Sequence, residues 1–109
     1  MLIGVNNSSL TNISNSLIGL PDYTNLITMI TTKGASYTAE QNGWLMGAVV
    51  QKVAGCGAWV KVNNQTLGRA YSPDINEMEF TIMIPIVKGD IITTRPDYGE
   101  YSLSLYGIK

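Results

Sequence analysis

The plainest signal in this chain is a two-residue alternation near its C-terminus. Phe80, Ile82 and Ile84 alternate with Thr81 and Met83, and Pro85 ends the run. Period-two alternation marks a strand with one face in a core. Val87-Lys88-Gly89-Asp90 then reads as a tight turn, and the run from Ile91 to Arg95 leaves it, so the pattern predicts a hairpin. After a loop at Pro96-Asp97-Tyr98-Gly99, Tyr101, Leu103 and Leu105 share one face and Ser102, Ser104 and Tyr106 the other. The chain should therefore end in a strand within a sheet.

The rest of the pattern is made of similar short pieces. Pro21-Asp22-Tyr23 reads as a turn before a β-prone run at Leu26–Thr31, and Ser36-Tyr37-Thr38 leads into a turn at Glu40-Gln41-Asn42-Gly43. From Trp44 to Val53 both faces are apolar: Trp44, Met46, Ala48 and Val50 on one, Leu45, Gly47 and Val49 on the other. That predicts a central strand between the core and a second sheet or a partner chain. Ala58–Val62 and the segment after Asn63-Asn64 form a hairpin, since asparagine tolerates left-handed backbone. Seven or eight short strands with turn signals every 8 to 12 residues or so predict an all-β, antiparallel sandwich, jelly roll or small barrel.

Before this, residues 1–25 are rich in Asn, Ser and Thr. Leu10, Ile13, Leu17 and Leu20 fit one helical face, but Asn and Ser compete with the backbone for hydrogen bonds. The stretch reads as an extended N-terminal arm, with a short helix as the alternative, ahead of a sandwich domain at residues 26–109. Sequons at Asn7, Asn12 and Asn64 are expected by chance in so Asn-rich a chain.

Composition narrows the functional classes. The 109 residues can bury about two thirds of their extended surface, enough for one domain with a core. Charged residues make up only 14 %, against about a quarter in an ordinary soluble domain, so part of the apolar surface should meet another subunit. The net charge is −1, and the seven Lys and Arg residues are scattered singly, which argues against nucleic acid as a partner. No run of about 18 apolar residues predicts a membrane span, and the N-terminus has no secretory pattern.

Chemistry is sparse. There is no histidine, so the usual general base near neutral pH is missing. The single Cys56, between Gly55 and Gly57, has no histidine to pair with and reads as a small buried residue. Asp74, Glu77 and Glu79 lack the spacing of a calcium loop or a fixed carboxylate pair and read as a solvated strand edge. No catalytic residue, cofactor or metal is expected. The loop residues Asn63, Asn64, Tyr71, Asp74, Asp97 and Tyr98 have the composition of a sugar- or protein-binding surface, although the same residue types also form ordinary turns. Trp44 and Trp59, within strands, read as core.

Several of these segments together carry a resemblance. Ser36-Tyr37-Thr38-Ala39, Asn42-Gly43-Trp44, Val62-Asn63-Asn64-Gln65-Thr66-Leu67, Phe80 through Asp90, and the terminal Leu103-Ser104-Leu105-Tyr106-Gly107-Ile108-Lys109 follow one another as in a known class. Over residues 26–109 the chain resembles the small jelly-roll domains that end bacteriophage tail and head fibres, which are similar in fold to trimeric C1q and tumour-necrosis-factor modules. The resemblance implies a ten-strand-like sandwich, a homotrimer, a place in the virion after synthesis in the host cytoplasm, and attachment to host-surface glycans or proteins. Residues 1–25 fall outside the resemblance and read as an arm that docks the domain to other virion proteins or serves as an oligomerisation segment. The family's binding residues are loop-borne and variable, so none is carried over. Alternation suggests Met83, Leu105 and Tyr106 for the oligomer interface. A bacterial carbohydrate-binding β-sandwich module is the alternative, and a small hydrolase using Glu77 or Glu79 ranks last.

Overall fold

A computed structural model describes residues 19–109 of the chain. Most of the N-terminal arm, including Leu10, Ile13, Leu17 and the sequons at Asn7 and Asn12, lies outside the described residues. The remainder forms eight strands: β1 (Pro21–Ile30), β2 (Ser36–Thr38), β3 (Gly43–Gln51), β4 (Ala58–Val62), β5 (Gln65–Ala70), β6 (Met78–Ile86), β7 (Ile91–Thr94) and β8 (Glu100–Ile108). They make two four-stranded antiparallel sheets, ordered β1-β8-β3-β6 and β2-β7-β4-β5. The first strand pairs with the last, the second with the seventh, the third with the sixth and the fourth with the fifth, as in one long hairpin rolled on itself. Only the β4–β5 connection stays within a sheet; every other connection crosses to the opposite one.

β4, β7, β8 and the second half of β6 read as one core residue and one outer residue in turn. Leu45 and Val49 of β3, Ile82, Ile84 and Ile86 of β6, and Tyr101, Leu103 and Leu105 of β8 meet Val60, Val62 and Ile92 from the other sheet in a single core. Gln51 is the polar exception. It is fully buried, yet its side-chain nitrogen donates to the carbonyls of Ser72 (2.9 Å) and Ile75 (2.7 Å), and its oxygen accepts from the Ser72 N–H (2.9 Å). The β5–β6 loop is thereby tied to the end of β3. At the centre of β3, Gly47 has φ 139°, and a Cβ there would run into the Ser102 carbonyl of β8. Glycine at this position is what lets the two central strands approach.

The Asn63-Asn64 hairpin forms as expected, with φ of 52° and 67° at the two asparagines. Three other expectations change. The segments either side of Val87–Asp90 are not hairpin partners: β6 pairs with β3, and β7 pairs with β2 and β4. Alternation identifies the face a strand buries but not its neighbour, and here the turn carries the chain across the core. The first strand also starts at Pro21, opposite Ile108, so the arm gives way to the sandwich earlier than residue 26. Asp22 does accept local hydrogen bonds from the Thr24 N–H (3.0 Å) and hydroxyl (2.6 Å), but this falls within a strand whose register shifts around Leu26. A proline fits there because β1 is an edge strand. Finally, there are eight strands among the described residues where the resemblance implied a ten-strand-like sandwich.

Candidate functional site

The six loop residues do not converge. Asn63 and Asn64 lie at the end of the sandwich that carries the β2–β3, β4–β5 and β6–β7 connections. Asn63 is committed to structure there: its Nδ2 donates to Asp90 Oδ1 (2.8 Å) and its Oδ1 accepts from the Ile91 N–H (2.9 Å). The second Asp90 oxygen accepts from the Val87 N–H (2.9 Å), while Asn42 Oδ1 accepts from the Lys88 N–H (2.8 Å). Such side-chain to backbone bonds replace the ladder that a crossing turn cannot make.

Tyr71, Asp74, Asp97 and Tyr98 lie at the opposite end. Asp74 is exposed and follows Ser72, whose hydroxyl oxygen accepts from the Asp74 and Ile75 N–H groups. Asp97 is engaged: Arg95 Nε donates to its Oδ1 at 2.7 Å, which holds the carboxyl below its ordinary pKa and the guanidinium above its own. The same Arg95 donates to the Gly57 carbonyl at 2.9 Å and lies 4.9 Å from the Tyr98 ring centroid. Tyr98 is anchored through its carbonyl, which accepts from the buried Tyr101 hydroxyl at 2.9 Å. Burial pushes the Tyr101 phenol upward.

Following Arg95 onto the sheet brings in residues that were read as core or as isolated charges. Alternation in β4 turns Trp59 and Lys61 outward, where both are half-buried. Arg69 of β5 stands opposite Trp59 on one side, and on the other the Arg95 N–H donates to the Trp59 carbonyl (3.3 Å). Lys61 Nζ lies 4.3 Å over the Trp59 ring, and the Arg69 guanidinium lies 4.5 Å from the Tyr71 ring. Lys61 thus covers the tryptophan ring, and backbone pairing sets Arg69 and Arg95 on the segments to either side of Trp59. Trp59 is not a core residue, and the strand register makes the cluster that sequence spacing concealed. Two-residue spacing was the available signal, since Trp59-x-Lys61 and Arg69-x-Tyr71 must each put ring and cation on one face of a strand.

The outer face of the other sheet has a different chemistry. Cross-strand register lines up Leu26, Tyr106, Trp44 and Pro85 in one row and Met29, Ser104, Met46 and Met83 in the next. Leu26, Met29 and Met83 are each about half exposed, at 49 %, 57 % and 53 %. Tyr23 packs edge-on against Tyr106 with ring centroids 5.4 Å apart, and the Trp44 indole N–H donates to the Gly19 carbonyl (2.6 Å). Trp44, like Trp59, faces outward instead of into the core. Of the three residues suggested for an interface, Met83 and Tyr106 are on this face. Leu105 is not: it is fully buried opposite Leu45, because it has the opposite phase of β8.

Acidic groups gather at the far end of this face. Lys52 forms an ion pair with Glu77 and lies 3.8 Å from Glu100. Lys52 holds the Glu77 carboxyl below its usual range, the opposite of what a general acid requires. Cys56 is half-buried and forms an isolated bridge with Val53, so it is less enclosed than its glycine neighbours suggested. Compared with protein-family models, curated proteins and solved structures, the chain matches none.

Proposed function

We propose that the chain is a jelly-roll domain that assembles with copies of itself as a homotrimer, in the fibre tip, head fibre or decoration layer of a bacteriophage virion, and helps that particle attach to its host. Eight strands paired first-to-last and distributed over two sheets are what a rolled double Greek key produces, and this supports the jelly-roll reading. The virion role follows from the resemblance in motif order. Self-assembly is carried by one observation: two adjacent rows on the β1-β8-β3-β6 sheet hold no charged residue and expose Leu26, Met29 and Met83, with the exposed Tyr23 packed against Tyr106 beside them. A face so free of charge is costly to leave in water, and contiguous apolar patches of this kind mark interaction surfaces. Methionine suits such a surface because its unbranched thioether adapts to a facing side chain.

The test is solution mass by size-exclusion chromatography with light scattering. The chain should run as three copies at micromolar concentration. Met83→Glu, which adds a charge at an already exposed edge-strand position, should shift it to one copy with its β-sheet circular dichroism intact. A wild-type monomer overturns the assembly reading. It would favour the second reading, a bacterial carbohydrate-binding module, for which the exposed Tyr71 and Tyr98 are the supporting observation.

A further inference from the structure

We infer that the outer face of the β2-β7-β4-β5 sheet, centred on Trp59, is a binding site for an anionic saccharide. The inference deepens the attachment reading above by naming the ligand class and its site. The observations are geometric. Trp59 stands between Arg69 and Arg95, Lys61 covers its ring, and Tyr71 and Tyr98 continue the surface beyond the two arginines. Arg95 is paired with Asp97, but neither Lys61 nor Arg69 has a carboxylate within 4.0 Å among the described residues. In a chain of net charge −1, two unpaired cations beside one tryptophan form a local field opposite in sign to the whole.

Each group matches one part of an acidic sugar. The apolar C–H face of a pyranose ring stacks on an aromatic side chain, and Trp59 and Tyr71 supply two such platforms. A carboxylate or phosphate on the sugar pairs with the Arg69 guanidinium, whose planar fork suits a bidentate anion. The same anion draws the Lys61 ammonium off the indole, exchanging a cation–π contact for an ion pair and exposing the ring to the sugar. A neutral sugar would gain the stacking alone. The candidate hollow nearest these loops, about 560 Å³ and lined by Thr31, Thr32, Lys33, Gly99, Glu100 and Tyr101, includes the acidic Glu100 and lacks the tryptophan.

The experiment uses the full chain in low-salt buffer and four probes followed by calorimetry and tryptophan fluorescence: hexagalacturonate, a poly(N-acetylglucosamine 1-phosphate) polymer, neutral maltohexaose and an oligothymidylate. The expected result is millimolar or tighter binding to the first or second, at least about tenfold tighter than to maltohexaose, weakening as salt is raised. Whichever of the two binds better identifies carboxylate or phosphate as the anion. Arg69→Gln and Lys61→Gln, at surface positions outside the core, should each weaken that binding about fivefold or more, and Tyr71→Ala should do likewise. The inference is overturned if neither anionic saccharide binds, if maltohexaose binds equally well, if the variants bind as the wild type does, or if oligothymidylate is preferred. The site and the Met83 face are on opposite sheets, so light scattering on the same samples separates the two readings. A trimer without saccharide binding overturns this inference alone, whereas a monomer that binds overturns the assembly alone.

Discussion

Gln51 shows how one side chain fixes a loop. A buried carboxamide is costly unless its polar atoms are paired, and here it makes three hydrogen bonds to Ser72 and Ile75. The loop that starts at Tyr71 therefore departs from a fixed point. Gln51→Leu keeps the volume but leaves the Ser72 N–H and two carbonyls without partners, which should cost about 2–4 kcal/mol. Chemical denaturation measures this; a loss below about 1 kcal/mol would mean that water replaces the carboxamide. This role is not legible locally, because a glutamine at the end of an apolar strand looks like the strand meeting solvent. Trp59 was hidden for a related reason. Its alternation phase within Ala58–Val62 was legible, but tryptophan's apolar bulk weighed toward the core, and only the neighbours on β5 and β7 reveal the cations that make an outward position favourable.

At the scale of elements, strands and their buried faces could be read from period two, whereas their partners could not. The β4–β5 hairpin was legible because consecutive asparagines accept the left-handed backbone that such a turn imposes. The Val87–Asp90 turn has equally good turn chemistry, yet it crosses between sheets, and nothing local distinguishes the two outcomes. What distinguishes them in the fold is Asn63, which reaches from one turn to Asp90 and Ile91 of the other. Two substitutions separate its role from that of its neighbour. Asn63→Gly keeps the left-handed backbone, removes both clamping bonds and should cost about 1–3 kcal/mol, while Asn64→Gly keeps the positive φ at no steric cost and should change stability by less than about 1 kcal/mol. Equal losses in urea titrations of the two variants would mean that the turn conformation, not the clamp, holds this end together.

At the scale of the whole molecule, the fold sorts side chains by chemistry onto its surfaces: methionines and Trp44 on one sheet, cations and Trp59 on the other, and carboxylates at the ends. A low charge content signalled from the sequence that some surface was apolar, but which surface depended on strand order, a long-range property that no local pattern encodes. The carboxylates make the pH response predictable. Asp22 is held below its ordinary pKa by the Thr24 hydroxyl and N–H, Glu77 by Lys52 and Asp97 by Arg95. A carboxyl with a lowered folded-state pKa binds its proton more readily when unfolded. Its contribution is therefore complete above the unfolded value of about 4 and is lost as pH falls through the lower folded value. All three groups are at the surface, so each contribution is modest and screened by salt. The Tm should hold steady from neutral pH to about 5 and fall below about 4, with a smaller fall in Glu77→Gln/Asp97→Asn and in high salt. The proposed assembly would add a second dependence, because subunits that associate only when folded make the Tm rise with protein concentration. Thermal scans over a hundredfold concentration range at pH 7 and again at pH 4 separate the two effects. The two apolar rows around Met83 contain no carboxylate, so the concentration dependence should persist in acid even as the Tm drops. If it disappears together with the carboxylate charges, the subunits are held by ion pairs at the acidic end of the sheet and not by its methionine rows.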